Sequence, residues 1–213
     1  MFAVSRGLLR EVATGRPDVV YLPNGVDSVA FGRARGTPPD AARRPRATYV
    51  GALARWFDFA LLAAVARANP EWEFVLYGET LDGAWGRSPA AELPNVVFRG
   101  PRPNTEIPRI LAETNVGIIP FRVSRETAYV SPIKLYEYFA AGRPAVSSPM
   151  PEARAFREVW TAESAEAWSA SLAAALAASR DATFVARLRE LGRENDWAIR
   201  GREALKHLLY SPA

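Results

Sequence analysis

Two charged side chains stand three residues apart within VSPIKLYEYFAAGRPAV, the segment of residues 130–146. They are Lys134 and Glu137, and this spacing places both on one face of a helix. An ammonium group at the start of a helix can bind a diphosphate together with the free backbone N–H groups there. A carboxylate one turn deeper can accept two hydrogen bonds from a ribose diol. The pair therefore suits a nucleoside diphosphate, although a plain surface ion pair, worth a few tenths of a kcal/mol, fits the same spacing.

The residues before Lys134 predict where this helix begins. Ser131 is a favourable N-cap and Pro132 a favourable first residue, which predicts a helix over residues 132–141. Lys134 then occupies about the third helical position, where a cation opposes the helix dipole at a cost of a few tenths to ~1 kcal/mol. An anion at the amides of residues 132–134 would remove this cost. The residues alone leave the anion site and the ion pair equally open.

Composition excludes several kinds of site. The chain has 213 residues and no cysteine, so disulfides and thiolate metal sites are excluded. His207 is the only histidine, so a multi-histidine metal site is excluded too, and we expect no metal. With 49% hydrophobic and 23% charged residues, the composition is that of an ordinary soluble domain.

The charge balance favours anionic partners but gives a weak signal. The net charge is +4, and all but two of the 27 cationic side chains are arginines. No dense basic run with interleaved aromatic residues is present, so we expect no nucleic-acid binding. No apolar run approaches the ~18 residues of a membrane span, and the N-terminus has no signal-peptide pattern. These observations predict a cytoplasmic protein, with docking at the inner face of the membrane left open.

The elements around the charged pair predict the fold class. Short apolar strands alternate with helices, which is the pattern of a doubly wound parallel α/β sheet. The predicted strands cover residues 47–51, 73–78, 95–100, 116–120, 144–148 and 157–162. Helices are expected at residues 59–68 after the cap Asp58, at 105–113, and in the C-terminal segments 164–179, 181–192 and 196–210. Ligands of such sheets bind beyond the carboxyl ends of the strands.

The remaining segments are predicted to be short elements and loops. Ser5 caps a helix over residues 6–13, and residues 18–23 form a strand before the turn PNGVD. Residues 32–46, rich in Arg, Pro and Gly, are predicted to be a loop, as are residues 78–94 and 121–131.

Four segments resemble the family 4 glycosyltransferases (glycosyl transferases group 1), which have the GT-B fold. SPIKLYEYFAAGRPAV is similar to the nucleotide-sugar-binding motif of that family. PNGVDSVAF (23–31) resembles the segment that joins the two GT-B domains, and YVGALARWFDFALL (49–62) the first strand and loop of the donor domain. NVVFRGPRPNTEIPRILAETNVGIIPF (95–121) resembles its central β-α-β unit.

This resemblance implies a domain organisation. Residues 1–31 would be a remnant of the N-terminal domain with the interdomain segment, and 32–46 a loop. Residues 47–213 would be a Rossmann-like nucleotide-sugar-binding domain with C-terminal helices. The acceptor-binding half would be absent, so a glycan or lipid-linked acceptor would be bound by a separate N-terminal domain.

The resemblance also implies residue roles. Glu137 would hold the ribose hydroxyls, and the amides around Ser131, Pro132, Ile133 and Lys134 would hold the diphosphate. The family is generally retaining and needs no metal. Independently, Gly51 is expected to let phosphate approach the backbone because it lacks a side chain.

Two departures from the family pattern concern the site. Tyr129 occupies the position eight residues before Glu137, where many relatives have a second glutamate near the transferred sugar. Many relatives also carry an arginine and a lysine after the first donor-domain strand, where this chain has Ala52 and Phe57. Arg55 is the only cation in that loop.

We therefore expect Lys134 and Arg55 to supply the phosphate charge, and they are the only candidates for a catalytic role. Arg102 follows the third strand of the predicted sheet and could reach the base.

Three functional hypotheses follow. The leading one is the donor-binding half of a glycosyltransferase that uses a nucleotide diphosphate sugar in polysaccharide biosynthesis. The second is a nucleotide-sugar-binding module without activity of its own. The third, a nucleic-acid or membrane-surface protein, rests on the basic charge alone.

Overall fold

A computed structural model describes residues 1–34, 44–81 and 83–210 of the chain. The N-terminal part is a small β-α-β unit. Strands β1 (Phe2–Ala3) and β2 (Val20–Tyr21) pair in parallel and are joined by helix α1 (Arg6–Ala13). Ser5 caps α1 by accepting a hydrogen bond from the Leu8 N–H at 3.1 Å, which confirms the predicted cap and helix bounds.

A parallel six-stranded sheet forms the centre of the molecule, and it confirms the predicted fold class. Its strands are β3 (Arg46–Val50), β4 (Glu73–Tyr77), β5 (Val96–Phe98), β6 (Val116–Ile119), β7 (Ala145–Ser147) and β8 (Val159–Thr161). All six predicted strands exist, each within a few residues of its expected bounds.

The strand order, β5-β4-β3-β6-β7-β8, reverses direction between β3 and β6. The chain first builds the sheet outward from β3 to β5, then returns to the other side of β3 and builds outward again. In doubly wound sheets the strand ends at such a reversal diverge and open a crevice where ligands bind. The topology therefore places the expected ligand site beyond the ends of β3 and β6.

Helices cover both faces of the sheet. The chain has α2 (Ser28–Arg33), α3 (Phe59–Ala68), α4 (Ile107–Ala112), α5 (Arg125–Ala128), α6 (Ile133–Ala140), α7 (Pro151–Arg154), α8 (Ala165–Ala178), α9 (Ala182–Glu194) and α10 (Trp197–Tyr210). Short 3-10 turns lie at Trp85–Arg87 and Asn104–Glu106. Helices α3 and α8 pack together, whereas α6 packs against α2 and α9. None of the described helices is both long and apolar enough to cross a bilayer.

Large aromatic and aliphatic side chains fill the space between the sheet and the helices. Tyr49, Phe74, Leu76 and Ile118 from the strands and Tyr138 from α6 are 0–1% exposed. The Tyr138 hydroxyl is satisfied inside the core, because the carbonyls of Thr48 and Ile118 both lie 3.1 Å away. This bond fixes α6 across β3 and β6, the two strands that flank the crevice.

A buried carboxylate attaches the N-terminal unit to the main sheet. Glu152, in α7, is 0% exposed and accepts a hydrogen bond from the backbone N–H of Arg6, the first residue of α1. Its second oxygen accepts from the Tyr21 hydroxyl at 2.7 Å. One side chain of α7 therefore satisfies donors from both α1 and β2.

Several predicted boundaries are wrong. The loop predicted over residues 121–131 contains α5, which begins at a capping box between Ser124 and Thr127. The loop predicted over residues 32–46 is shorter, because α2 runs to Arg33 and β3 begins at Arg46. Of that prediction, residues 35–43 lie outside the described residues. Helices α2 and α7 were not anticipated; each is short, with four to six residues, and has little periodicity to detect.

Candidate functional site

A groove of about 980 Å³ lies at the carboxyl edge of the sheet. Residues that follow β3, β4 and β5 form its floor and one wall, and the first turns of α6 form the opposite wall. Of the predicted site residues, the groove is lined by Gly51, Arg102, Ile133, Lys134 and Glu137. The topology of the sheet brings these residues together from three separate segments of the chain.

The glycines at the strand ends allow this floor to form. Gly51 follows β3 with φ +151°, and Gly78 follows β4 with φ +139°. A Cβ on Gly78 would lie 2.0 Å from the Gly51 carbonyl oxygen, so the two backbones touch where the strands end. A side chain at Gly78 would force them apart and narrow the groove.

The Lys134 side chain lies directly across Gly51. A Cβ on Gly51 would be 2.1 Å from Lys134 Cε and 2.7 Å from Lys134 Nζ. Gly51 was expected to leave room for a phosphate to approach the backbone. In the structure, the space left by its missing side chain is occupied by the Lys134 side chain. The ammonium also lies 5.9 Å from the centre of the Tyr49 ring, a cation–π distance. The lysine is therefore held above the end of β3 by a glycine and a buried aromatic ring.

Lys134 and Glu137 are both partly buried, and burial affects each charge. It lowers the pKa of Lys134 and raises the pKa of Glu137, and in each case the attraction between the two groups opposes the shift only in part. Among the described residues, neither side chain forms a hydrogen bond or an ion pair within 4.0 Å. The plain ion pair between them is thus absent, and two charged groups face the groove without close partners.

The start of α6 differs from the prediction in one respect. Ile133 is its first residue, Pro132 is the N-cap, and no side chain caps the helix. The N-cap role predicted for Ser131 is therefore wrong, and Lys134 is the second helical residue. Because proline has no N–H group, the amides that the helix leaves without an intrahelical acceptor begin at Ile133.

Ser131 instead holds the segment PNGVD. Its carbonyl accepts a hydrogen bond from Asn24 Nδ2 at 2.7 Å, and its hydroxyl accepts from the Asn24 backbone N–H at 3.3 Å. The hydroxyl oxygen of Ser131 also lies 3.4 Å from that of Tyr136, and Ser131 is buried. Ser131 and Pro132 are not among the groove-lining residues. They position the start of α6 from behind.

The side chains of Arg55 and Tyr129 contact residues outside the groove. Arg55 donates to Glu126 at 2.9 Å, and its side chain is 70% exposed. Tyr129 packs on α1, where a Cβ on Gly7 would lie 3.1 Å from its ring. A hydrogen bond from Tyr129 also lowers the pKa of Glu11, which lies in α1 like Gly7. In this structure both residues lie outside the groove lining.

The family assignment is decided by the sequence itself. Residues 44–190 match the family described as glycosyl transferases group 1, which is more than half of the chain. The chain belongs to this family.

A curated glycosyltransferase matches nearly all of the chain. It is the glycosyltransferase TuaH of Bacillus subtilis, named for teichuronic acid biosynthesis, with 26% identity over 208 residues. The match covers 93% of this chain and 52% of TuaH, so the chain spans about half the length of this curated relative.

Solved structures show the same fold. Sucrose-phosphate synthase from Thermosynechococcus elongatus superposes with a TM-score of 0.75 at 20% identity, over 100% of this chain and 58% of that one. HepE of Anabaena, in complex with UDP and glucose, gives 0.66 at 17% identity, over 98% of this chain and 62% of that one. These similarities support the Rossmann-like domain of the GT-B fold.

Sequence reasoning missed two residues that shape the groove. Tyr49 lies beneath Lys134, and its pKa is raised by burial, so the ring is present as the neutral phenol. Gly78 sets the contact between the ends of β3 and β4. Gly78 had a sequence signal, a glycine directly after an apolar strand. Tyr49 had none, because a tyrosine inside a strand usually belongs to the core.

Proposed function

We propose that this chain is the donor-binding half of a glycosyltransferase and that its groove binds a nucleotide diphosphate sugar. The observation that carries the proposal is the pair Lys134 and Glu137, which share one helix face at the strand reversal, with neither side chain in a hydrogen bond or ion pair among the described residues. Perturbed, partly dehydrated charges in a groove are typical of binding sites. Family membership and the solved structures with bound UDP support the same proposal.

In this proposal the diphosphate lies between Gly51 and the first turn of α6. The N–H groups of Ile133 and Lys134 point along the helix axis toward that space, and the dipole favours an anion there. The Lys134 ammonium adds a full positive charge. A diphosphate would restore the interactions that Lys134 lost on burial.

Glu137 lies one turn further along α6 and would accept hydrogen bonds from the two ribose hydroxyls. These bonds would favour the charged carboxylate, which burial alone disfavours. Arg102, exposed on the opposite wall after β5, would reach the base or its ribose.

The chemistry of this site would be stabilisation of a leaving group. During transfer, the bond between the sugar's anomeric carbon and the diphosphate oxygen breaks. A new bond forms to an acceptor hydroxyl, and the proton of that hydroxyl passes to the departing diphosphate. Negative charge grows on the diphosphate, and Lys134 with the helix amides would stabilise it. We propose a retaining reaction without a metal, to be tested by the anomeric configuration of the product and by activity in EDTA.

The acceptor is proposed to be a glycan or a lipid-linked glycan, held by a part of the enzyme that is distinct from this domain. The name of the curated relative places that protein in teichuronic acid biosynthesis. We propose a role in polysaccharide biosynthesis here, with contact to the membrane surface. The alternative is a donor-binding module without activity of its own. Sugar transfer by this chain alone would exclude that alternative.

Calorimetry tests the groove directly. UDP, dTDP, GDP and ADP are titrated into the wild-type chain and into Lys134→Ala and Glu137→Ala, with UDP as the first candidate. We expect one nucleoside diphosphate to bind and each substitution to weaken it roughly tenfold, the effect of one lost charged contact. Lys206→Ala, which changes the only other lysine, and Glu163→Ala are the matched controls. Equal affinity in all five proteins would refute the site.

A further inference from the structure

A second cavity, of about 570 Å³, adjoins the groove at α2, and the two share Phe31, Arg33 and Ala34 as lining residues. It is formed by α2, the C-terminal ends of α4 and α6, and one face of α9. Four arginines line it: Arg33, Arg143, Arg189 and Arg193. No aspartate or glutamate is among the described lining residues. The group 1 family assignment gives no role to these side chains.

Helix α9 separates its charges by face. Arg187 lies between three carboxylates, with Glu158, Glu190 and Glu194 all within 3.2 Å. Arg189 and Arg193 lie four residues apart on the cavity side, where like charges at this spacing destabilise a helix. Among the described residues neither has a carboxylate within 4.0 Å. The acids of α9 are therefore placed to neutralise one arginine and to leave the other two uncompensated.

Arg143 forms the inner wall of the cavity. One guanidinium nitrogen donates to the carbonyl of Ala112, the last residue of α4, at 2.8 Å. Its Nε is buried and has no hydrogen-bond partner among the described residues. Burial and repulsion from Arg189 lower the pKa of Arg143 to about 10.

The ends of α4 and α6 offset part of this positive charge, because helix C-termini carry a partial negative charge. Each helix end contributes about half a negative charge, so the two together offset about one of the four positive charges. Arg189 Nε also lies over Gly142, 2.9 Å from where a Cβ would be, so this side chain is directed along the end of α6. The guanidinium groups are thus held around one space that is open to solvent.

We infer that this arginine cavity binds a phosphate-bearing anion at Arg143, Arg189 and Arg193, none of which lines the donor groove. Guanidinium groups bind phosphate through paired N–H donors, and several of them around one cavity favour a doubly charged group such as a phosphate monoester or a diphosphate. The guanidinium of Arg143 adds positive charge at the inner wall, and Arg189 and Arg193 supply the N–H donors. The phosphate is carried either by a soluble molecule or by a lipid headgroup.

The test compares three arginines of α9 that differ in surroundings but not in charge. Pyrophosphate and inorganic phosphate are titrated at constant ionic strength into the wild type, Arg189→Gln, Arg193→Gln and Arg187→Gln. All three substitutions remove one positive charge. We expect Arg189→Gln and Arg193→Gln each to weaken pyrophosphate binding roughly tenfold, and Arg187→Gln to leave it unchanged. The series is repeated in the Lys134→Ala background, where binding at the donor groove is expected to be about tenfold weaker. Because Arg187, Arg189 and Arg193 do not line the groove, a difference among them that persists in this background belongs to the cavity, whether or not the proposed function holds.

A second arm identifies the source of the phosphate. Co-sedimentation is measured with vesicles of phosphatidylcholine alone and with added phosphatidylglycerol. Pyrophosphate binding that needs Arg189 supports a soluble phosphate. Binding only to the anionic vesicles, lost in Arg189→Gln but kept in Arg187→Gln, supports a lipid phosphate. If the three variants behave alike in both arms, the positive charge acts only as a diffuse field and the inference is overturned.

Discussion

Lys134 and Gly51 are in contact across the groove: the lysine Cε occupies the place where a side chain at residue 51 would begin, 2.1 Å from the position of such a Cβ. The relationship links a helix residue to a strand end 83 positions earlier in the chain (134 minus 51). It fixes the ammonium beside the first-turn amides of α6, so one position controls where the charge of the proposed donor site lies.

Substitution of Gly51 should therefore move the lysine. We expect Gly51→Ala to weaken nucleotide binding roughly tenfold, as the loss of one charged contact would. It should also destabilise the fold by about 1 kcal/mol, because alanine adopts this φ poorly. Calorimetry and denaturant unfolding measure the two effects. Gly86→Ala, whose Cβ would meet nothing within 4 Å, is the control and should bind normally. Unaltered affinity in Gly51→Ala would show that the lysine position is unimportant.

The charge on Glu137 should cost stability in the absence of ligand. Burial raises its folded-state pKa above the ordinary value of 4.5. Between those two values the folded protein binds more protons than the unfolded chain, so stability falls as pH rises through that window. We expect Glu137→Gln to be more stable than wild type at pH 7 and the difference to shrink below pH 4.5. Urea unfolding at both pH values measures this. A difference that grows on acidification would contradict the assigned direction.

The buried carboxylate of Glu152 should be needed to hold the N-terminal unit. Tyr21→Phe removes one hydrogen bond to a charged group and should cost about 1.5–3 kcal/mol. Glu152→Ala leaves two donors without an acceptor and should cost more, about 1–3 kcal/mol for each of them. Equilibrium unfolding gives these values, and amide exchange in β1 and α1 shows whether the loss is local. Glu163→Ala, which changes an exposed side chain, is the control, and its effect on the free energy of unfolding should be near zero. Equal exchange in all variants would argue against this attachment.

The contact between Asn24 and Ser131 should connect the PNGVD segment to the start of α6. Asn24→Ala removes the 2.7 Å bond to the Ser131 carbonyl and should cost about 0.5–1.5 kcal/mol. Because Asn24 does not line the groove, a fall in nucleotide affinity would report a shift of α6 rather than a lost ligand contact. Asn24→Asp, which keeps the shape and loses the donor, should resemble the alanine variant. If both variants unfold with the same free energy as the wild type, the contact between Asn24 and Ser131 has no structural role.

Local sequence patterns were sufficient for the main elements. Short apolar runs that alternate with helical segments identified the strands. Ser5 and Asp58 marked helix starts because a cap acts within three residues of its own position. The same logic failed at Ser131. Its favourable cap chemistry was overridden by Asn24, more than 100 residues away in the chain, which bonds to both the Ser131 hydroxyl and its carbonyl.

What the sequence by itself determined was therefore the class of fold and the pairing of Lys134 with Glu137 on one helix face. Both depend on periodicity, a property of neighbouring residues. Only the tertiary structure decided that the lysine crosses Gly51 and that Arg55 and Tyr129 face other partners. It also decided that arginines from α2, from α9 and from the loop after α6 share one cavity. These depend on which strand lies beside β3 and how closely α6 approaches it, and such distances arise from packing between segments that no local pattern encodes.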